Sequence, residues 1–288
     1  MMFRFILALL VSFGLTADFA FAQAPSDSRL NMIAATKSVK IAYRTDATPF
    51  SFVAANQKEP TGYTIDLCKL IVRSLEKQLG VQGLAIEWVL VTSQSRFEAI
   101  ASGKADMECA SSTVTLGRMK QVDFSSMIFV ETTGVVVKTA AGIKDAADLT
   151  GKKVAVITGT TNEQALTNLQ RQGKLNVTLV SVPDRGQGVA ALSNGTADAF
   201  ASDKLLLAGA EFRDANTYPL LSVDLSYEPY GIALPRGDWA LRLAVNTGLA
   251  QTYRNGQALE IFRKWFEPVG LRINGVMLAV YQFGALPD

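Results

Sequence analysis

Histidine is absent from the whole of this 288-residue chain, and cysteine occurs only twice. Without an imidazole there is no base for a Ser-His-Asp or Cys-His arrangement and no His-ligated metal, and two thiolates are too few to close a structural zinc site. Charge imbalance is also missing. Lysine and arginine total 28 against 26 acidic residues, a formal +2, which argues against a nucleic-acid or membrane footprint. No Gly-Lys-Ser/Thr phosphate loop occurs. Beyond the N-terminus no apolar run is long enough to span a bilayer. No catalytic residue, metal or cofactor is therefore expected.

What is present begins with an export signal. Arg4 precedes an apolar run from Phe5 to Leu15, and Ala20-Phe-Ala22 stands before Gln23. A basic start, a short apolar core and a small-x-small end describe a secretory signal peptide, residues 1–22, and Asp18 interrupts the run too early for an anchor. The rest, with 49% hydrophobic residues in the full chain, can bury the cores of two lobes. In an exported chain, Cys68 on an expected helix and Cys109 on an expected strand point to one disulfide; two buried free thiols are the alternative.

The stretch that organises the chain is Met107-Glu-Cys-Ala-Ser-Ser-Thr-Val-Thr-Leu-Gly-Arg118. A short strand ends in the hydroxyls Ser111, Ser112 and Thr113, and Arg118 follows. Hydroxyls and amides at a strand end, then a planar guanidinium, make an anion-recognition layout; a Ser/Thr-rich surface turn is the plainer reading. A second copy strengthens the first reading. Ala99 to Ser111 aligns without gaps on Ala191 to Asp203: an apolar helix end, a stop at Gly103 or Gly195, an Ala-Asp pair, a short strand and one polar residue. Ser111 and Asp203 thus become equivalent positions past strand ends, where open α/β sheets bind ligands.

Elsewhere strands and helices alternate. Gln23 to Asn31 reads as a loose leader. Val39–Tyr43 is a strand that leads to Arg44, and Gly62 opens a helix that stops at Gly80. The strand Ala85–Val91 leads to Ser93 and Arg96. Arg44, Arg96 and Arg118 each follow such a junction. After a crossing near Phe124–Lys138 the order repeats: a short helix over Ile143–Leu149, a strand at Lys153–Ile157, then Thr158-Gly-Thr-Thr-Asn-Glu163, with capping-box spacing between Thr160 and Glu163. Val177–Val182 is a further strand with Arg185 just beyond it. Tyr227–Pro235 reads as the return crossing, and helices follow at Trp239–Arg254 and Leu259–Trp265; the tail from Val276 carries no reading. The expected organisation is residues 23–133 and 230–288 in lobe 1 and 134–229 in lobe 2, with two connections forming a hinge.

With Arg44 and Thr48-Pro-Phe-Ser51, Gly62-Tyr with Asp66, Thr92-Ser-Gln-Ser-Arg96, Glu108-Cys-Ala-Ser-Ser-Thr113 with Arg118, Thr158-Gly-Thr-Thr161, Asp203 and Lys264-Trp265, the chain resembles the periplasmic amino-acid-binding proteins of ABC importers, most closely the glutamate/aspartate branch. The resemblance implies an α/β, two-lobed type II periplasmic-binding-protein fold, each lobe a mixed sheet flanked by helices, joined by a two-strand hinge. It implies a periplasmic monomer that delivers an acidic amino acid to a membrane permease. By position, Arg118, Thr113 and the Thr160 amide would hold the α-carboxylate. Ser111, Thr113 and Asp203 would take the ammonium, and Arg44, Ser93 and Arg96 the side-chain carboxylate, with Thr158 and Arg185 also at the site. Two departures stand out. Arg185 lies where that branch has a histidine, and Lys204 replaces what is often a second acid. The alternatives are a ligand that is another amino acid or carboxylate, a sensory module with a separate output partner, and a periplasmic dehydratase-like enzyme, which would have to work with Glu108 and Asp203 alone.

Overall fold

In the computed structural model the described residues are 28–209, 212 and 214–287; the expected signal peptide at 1–22 lies outside them. Lobe 1 opens with helix α1 (Arg29–Thr36), strand β1 (Ser38–Tyr43) and a small ribbon, β2 (Asp46–Ala47) with β3 (Ser51–Phe52). Helix α2 (Tyr63–Leu79), β4 (Ala85–Leu90), α3 (Arg96–Ala101), β5 (Met107–Glu108) and β6 (Val122–Phe124) follow. The long strand β7 (Phe129–Val137) crosses to lobe 2, which contains β8 (Lys153–Ile157), α4 (Thr161–Arg171), β9 (Thr178–Val182), α5 (Arg185–Asn194), β10 (Ala199–Asp203) and α6 (Lys204–Leu207). The chain returns through β11 (Tyr227–Tyr230) to β12 (Ala233–Pro235), and closes with α7 (Trp239–Arg254), α8 (Gln257–Phe266) and α9 (Gly275–Gly284).

The two sheets repeat one plan. Their orders are β4-β1-β5-β12-β6 and β9-β8-β10-β7-β11. In each, three parallel strands are joined by an antiparallel strand that arrives from the other crossing. The duplicated segments occupy matching places: Ser111 lies just past β5 and Asp203 ends β10, both third in their units. Gly103 and Gly195 both take left-handed conformations, φ +77° and +81°, to end the preceding helices.

Each lobe has its own core, and the crossing strands belong to both. Val135 and Val137 of β7 pack with Val154, Leu166 and Ala199 of lobe 2. Phe129, at the other end of the same strand, joins Phe50, Tyr63, Tyr230, Phe262 and Phe266 in lobe 1. Helix α2 buries Ile65, Leu67, Cys68, Ile71 and Leu75, a stripe at helical spacing, and Gly80 caps its end through the Glu76 carbonyl. Burying each such Leu or Ile is worth roughly 1.5–3 kcal/mol. Two motifs far apart in sequence meet here: Asp66 accepts from Lys264 Nζ at 2.7 Å and from Trp265 Nε1 at 2.8 Å.

Two expectations are corrected, and a segment that carried no reading proves to be helical. Ile143–Leu149 forms only a 3-10 turn at Ala147–Leu149, because Asp148 accepts from the Lys144 amide and Asp145 from the Ala147 amide, both at 2.8 Å, in competition with helical bonding. The loose leader ends earlier than expected: Ser28 accepts from the Leu30 amide and starts α1 at Arg29. The tail is ordered as α9, capped by Asn274, whose side chain accepts from the Met277 amide.

Cys68 and Cys109 are disulfide-bonded, with Cα atoms 6.5 Å apart across a sequence separation of 41, and tie α2 to the end of β5 just before Ser111. Reduction should lower the unfolding free energy by about 4 kcal/mol on the chain-entropy model. Urea unfolding of oxidised and reduced protein checks this, and coincident midpoints would show that the crosslink contributes nothing.

Candidate functional site

The ends of β1, β5, β8 and β10 meet at a narrow cavity between the lobes, with about 20 Å³ of free space. Eight of the expected residues line it: Arg44, Arg96, Ser111, Thr113 and Arg118 from lobe 1, and Thr160, Arg185 and Asp203 from lobe 2. Two do not. Thr158 is exposed and gives its amide to the Val182 carbonyl at 2.9 Å. Ser93 is buried behind the wall, where its carbonyl accepts from the Arg96 guanidinium. Ile157, Thr161, Asn162, Ser202 and Leu206 line the cavity unforeseen.

The lobes touch around this space. Arg185 Nε donates to the Asp46 carbonyl at 3.0 Å, and Gln94 Nε2 donates to the Pro183 carbonyl. Arg185 is fixed from its own lobe as well, by the Leu206 carbonyl and the Ser202 hydroxyl. Its place at the first turn of α5 follows from Asp184, which caps that helix by accepting from the Gln187 amide.

The four arginines are not equivalent. Arg44 is held in a fork by Asp46, with Nε and Nη2 at 2.8 and 2.9 Å from the two carboxylate oxygens. Burial disfavours the Arg44 charge, but Asp46 more than offsets it and raises the pKa. Asp46 is lowered in turn: burial would raise it, but Arg44, with Arg185 behind, outweighs that. Arg96 has no such partner. Burial, then repulsion from Arg118 and Arg44, pushes its pKa down to about 9. A guanidinium stays charged at neutral pH even so, and the fall reflects a charge buried beside two like charges that Glu108 and Asp203 only partly offset. Arg96 Nε and Ser111 Oγ find no hydrogen-bond partner among the described residues.

Arg118 is oriented by the Thr113 carbonyl at 2.8 Å, and burial lowers its pKa also. Phe97 supplies a face to both cations, its ring centroid lying 4.5 Å from the Arg96 guanidinium carbon and 5.0 Å from that of Arg118. Glu108, fully buried on β5, balances this cluster from beneath: burial raises its pKa and Arg96 pulls against the rise.

On the lobe 2 side, Asp203 accepts from Asn162 Nδ2 at 2.7 Å on one oxygen and from the Tyr230 hydroxyl on the other. Burial, then Glu228, raises its pKa. Each oxygen keeps a lone pair for a further donor. Lys204 does not compete, since its ammonium pairs with Asp224 at 2.6 Å and lies outside the cavity lining. At the start of α4, Thr160 accepts from the Glu163 amide at 3.2 Å, while Glu163 reaches back to the Gly159 amide at 2.8 Å. The capping pair expected from sequence is thus present, with the return bond one residue further out. The site combines two incompletely compensated guanidinium groups with a carboxylate that has acceptor capacity to spare. It can grip an anion and a cation carried by one small molecule.

The family model of bacterial extracellular solute-binding proteins, family 3, matches residues 39–268. The L-glutamate/L-aspartate-binding protein of Pseudomonas aeruginosa is 34% identical over 251 residues, which cover 85% of this chain and 83% of that protein. The glutamate/aspartate import solute-binding protein of Escherichia coli is 35% identical over 277 residues, covering 93% and 90%. Among solved structures, an ancestral amino acid-binding protein that is a precursor of cyclohexadienyl dehydratase superposes with a TM-score of 0.70 at 30% identity, covering 83% of this chain and all of that one.

Glu131, buried on β7, offers a test of the electrostatics. Burial pushes its carboxyl up from 4.5 to about 8, with Asp203 adding to the rise and the Thr132 amide opposing it. The folded state then holds a proton that the unfolded state releases, so wild-type stability is intact below about pH 4.5 and is lost as pH climbs toward 8. Glu131→Gln removes that loss. The melting temperature of the variant minus that of the wild type should rise over this window and then level off; a flat difference would contradict a neutral Glu131.

Proposed function

The chain belongs to the bacterial extracellular solute-binding proteins, family 3, and on that basis we propose that it captures an acidic amino acid, glutamate or aspartate, by cleft closure and delivers it to the permease of an ABC importer. The observation that carries this reading is the contrast in the cavity between Arg96, buried beside Arg118 and Arg44 with its Nε unpaired among the described residues, and Asp203, which can still accept. An amino acid with a second carboxylate supplies the missing negative charge and one ammonium.

In this reading Arg118 and the backbone amides of Thr113 and Thr160 hold the α-carboxylate. Asp203, with Ser111 and Thr113, takes the ammonium. Arg96 is the principal partner of the side-chain carboxylate. Arg44 contributes the part of its guanidinium that Asp46 does not use, and Arg185 bounds the pocket from lobe 2. Ser93 acts behind the wall through Arg96, and Thr158 leads into the Thr160 turn.

Ligand touches both lobes only when they close, so its binding energy draws the open-closed equilibrium toward the form a permease reads. This reading puts the lobe boundaries at 133/134 and 229/230, positions that fall within β7 and β11. Residues 1–22 serve as the export signal, and the mature protein works as a monomer in the periplasm. The Escherichia coli relative is an import solute-binding protein by name, and no covalent step enters this reading.

Calorimetric titration with glutamate, aspartate, glutamine, asparagine and succinate tests it. Acidic amino acids should bind tightly and succinate give no heat; silence with every amino acid would remove the ligand assignment. Arg118→Ala should weaken every ligand by about 30-fold or more, the scale of truncating one member of a buried charge pair. Arg96→Ala should penalise glutamate and aspartate far more than their amides. Equal losses across the series would remove Arg96 from the side-chain site.

A further inference from the structure

The most completely satisfied charged group at the cleft is one that does not line it. Glu228 lies on β11, 1% exposed. Four hydroxyls surround its carboxylate. Oε1 accepts from Ser226 at 2.6 Å and Thr133 at 3.1 Å; Oε2 accepts from Thr161 at 2.5 Å and Thr113 at 2.7 Å. These hydroxyls come from both lobes, from β7 and from the residue just before β11, so Glu228 sits at the junction of all the parts that must move.

An ionised carboxylate only accepts, and a hydroxyl has a single proton to give. Oxygens around a carboxylate in this way have their protons aimed inward at it. The 3.2 Å approach of Thr113 to Thr161 is then a contact between two oxygens whose protons both point at Glu228. Thr113 also lines the cavity. With its proton committed, the hydroxyl can offer the cavity nothing but a lone pair.

The same polarity extends to Asp203. Asn162 uses its amide nitrogen twice, toward Thr133 Oγ1 and toward Asp203 Oδ1, both at 2.7 Å. Thr133 passes its own proton on to Ser226 or Glu228. Tyr230, two residues from Glu228 and on the same face of the strand, donates to the other Asp203 oxygen. Thr113 and Asp203 therefore present acceptors, and an ammonium is the group that satisfies them.

We propose that Glu228 is a positioning residue that fixes the Thr113 hydroxyl as an acceptor toward the ligand, and so sets the preference for amino acids over amine-free dicarboxylates. This rests on the assignment of the cavity to an acidic amino acid. A ligand with a keto or hydroxyl oxygen, or with nothing, in place of the ammonium meets an acceptor with no donor to pair it.

The test is calorimetric titration of wild type and Glu228→Gln with L-glutamate and with glutarate, the same dicarboxylate without the amine. Glu228→Gln should lose about tenfold or more in L-glutamate affinity, the scale of one hydrogen bond to a charged group, and leave glutarate unchanged or tighter. In a Thr113→Val background the substitution should have no further effect on the ratio of the two affinities, because Glu228 acts through that hydroxyl. Equal weakening of both ligands, or full additivity with Thr113→Val, would overturn the positioning role while leaving the amino-acid assignment intact. A wild type that binds glutarate as well as L-glutamate would overturn both. Glu228→Asp, which keeps the charge but draws it back from Thr113, is read in the same way, so the outcome does not hang on the folding of one variant.

Discussion

Positive charge gathered in a cleft from which water is largely excluded is the constraint on which the rest of this structure depends. Arg44, Arg96, Arg118 and Arg185 converge on one cavity. Charges brought together in a poorly hydrated space repel strongly unless each is matched. Asp46 matches Arg44 in a fork, and Arg185 is spread over two carbonyls and a hydroxyl. Arg96 and Arg118 share one aromatic face and the distant help of Glu108. The deficit that remains is the physical content of the binding site: it is made good by a molecule that brings its own carboxylates.

The architecture places that deficit where it can be used. The guanidinium groups and Asp203 stand at or beyond the strand ends of two sheets built on one plan, so the shared fold brings three arginines of lobe 1 face to face with Asp203 and Arg185 of lobe 2. The disulfide fixes the strand end from which Ser111 and Thr113 emerge to the helix behind it. Phe129 and Tyr230 anchor the crossing strands in the aromatic core of lobe 1, while Val135 and Val137 anchor β7 in lobe 2. Closure therefore proceeds against rigid bodies, and binding energy acts on the relation between lobes rather than on their interiors. Glu228 and Asp203 carry the polar side of this junction, each with its oxygens satisfied by hydroxyl or amide donors from more than one element.

Much of this was legible in the sequence because it is local or repeated. The gapless match of Ala99–Ser111 with Ala191–Asp203 located two equivalent strand ends, and Gly80, Gly103 and Gly195 end helices as their φ values require. Helices α2 and α7 follow from apolar spacing and their caps. The arginines were visible as residues but not as unequal partners. The fork of Asp46 on Arg44 depends on the ribbon that turns the chain back, and nothing in its spacing marks it. Asn162 and Glu228 were missed for a related reason: their partners come from segments far apart in the sequence. The alternation of Glu228 and Tyr230 along a crossing strand was the available signal, since it puts two polar groups on one face of the strand. The turn at Ala147–Leu149 failed as a helix because short aspartate side chains compete for its amides. In α9 the Asn274 cap was there to be read.

The most direct measurement is a crystal structure of the protein with L-glutamate bound. The ammonium should lie within hydrogen-bond distance of Asp203 and Thr113, the α-carboxylate on Arg118 and the Thr160 amide, and the side-chain carboxylate against Arg96 and the part of Arg44 that Asp46 does not occupy. A bound glutamate whose ammonium points away from Asp203, or whose side chain leaves Arg96 without an anion, would contradict the charge balance from which the function is argued.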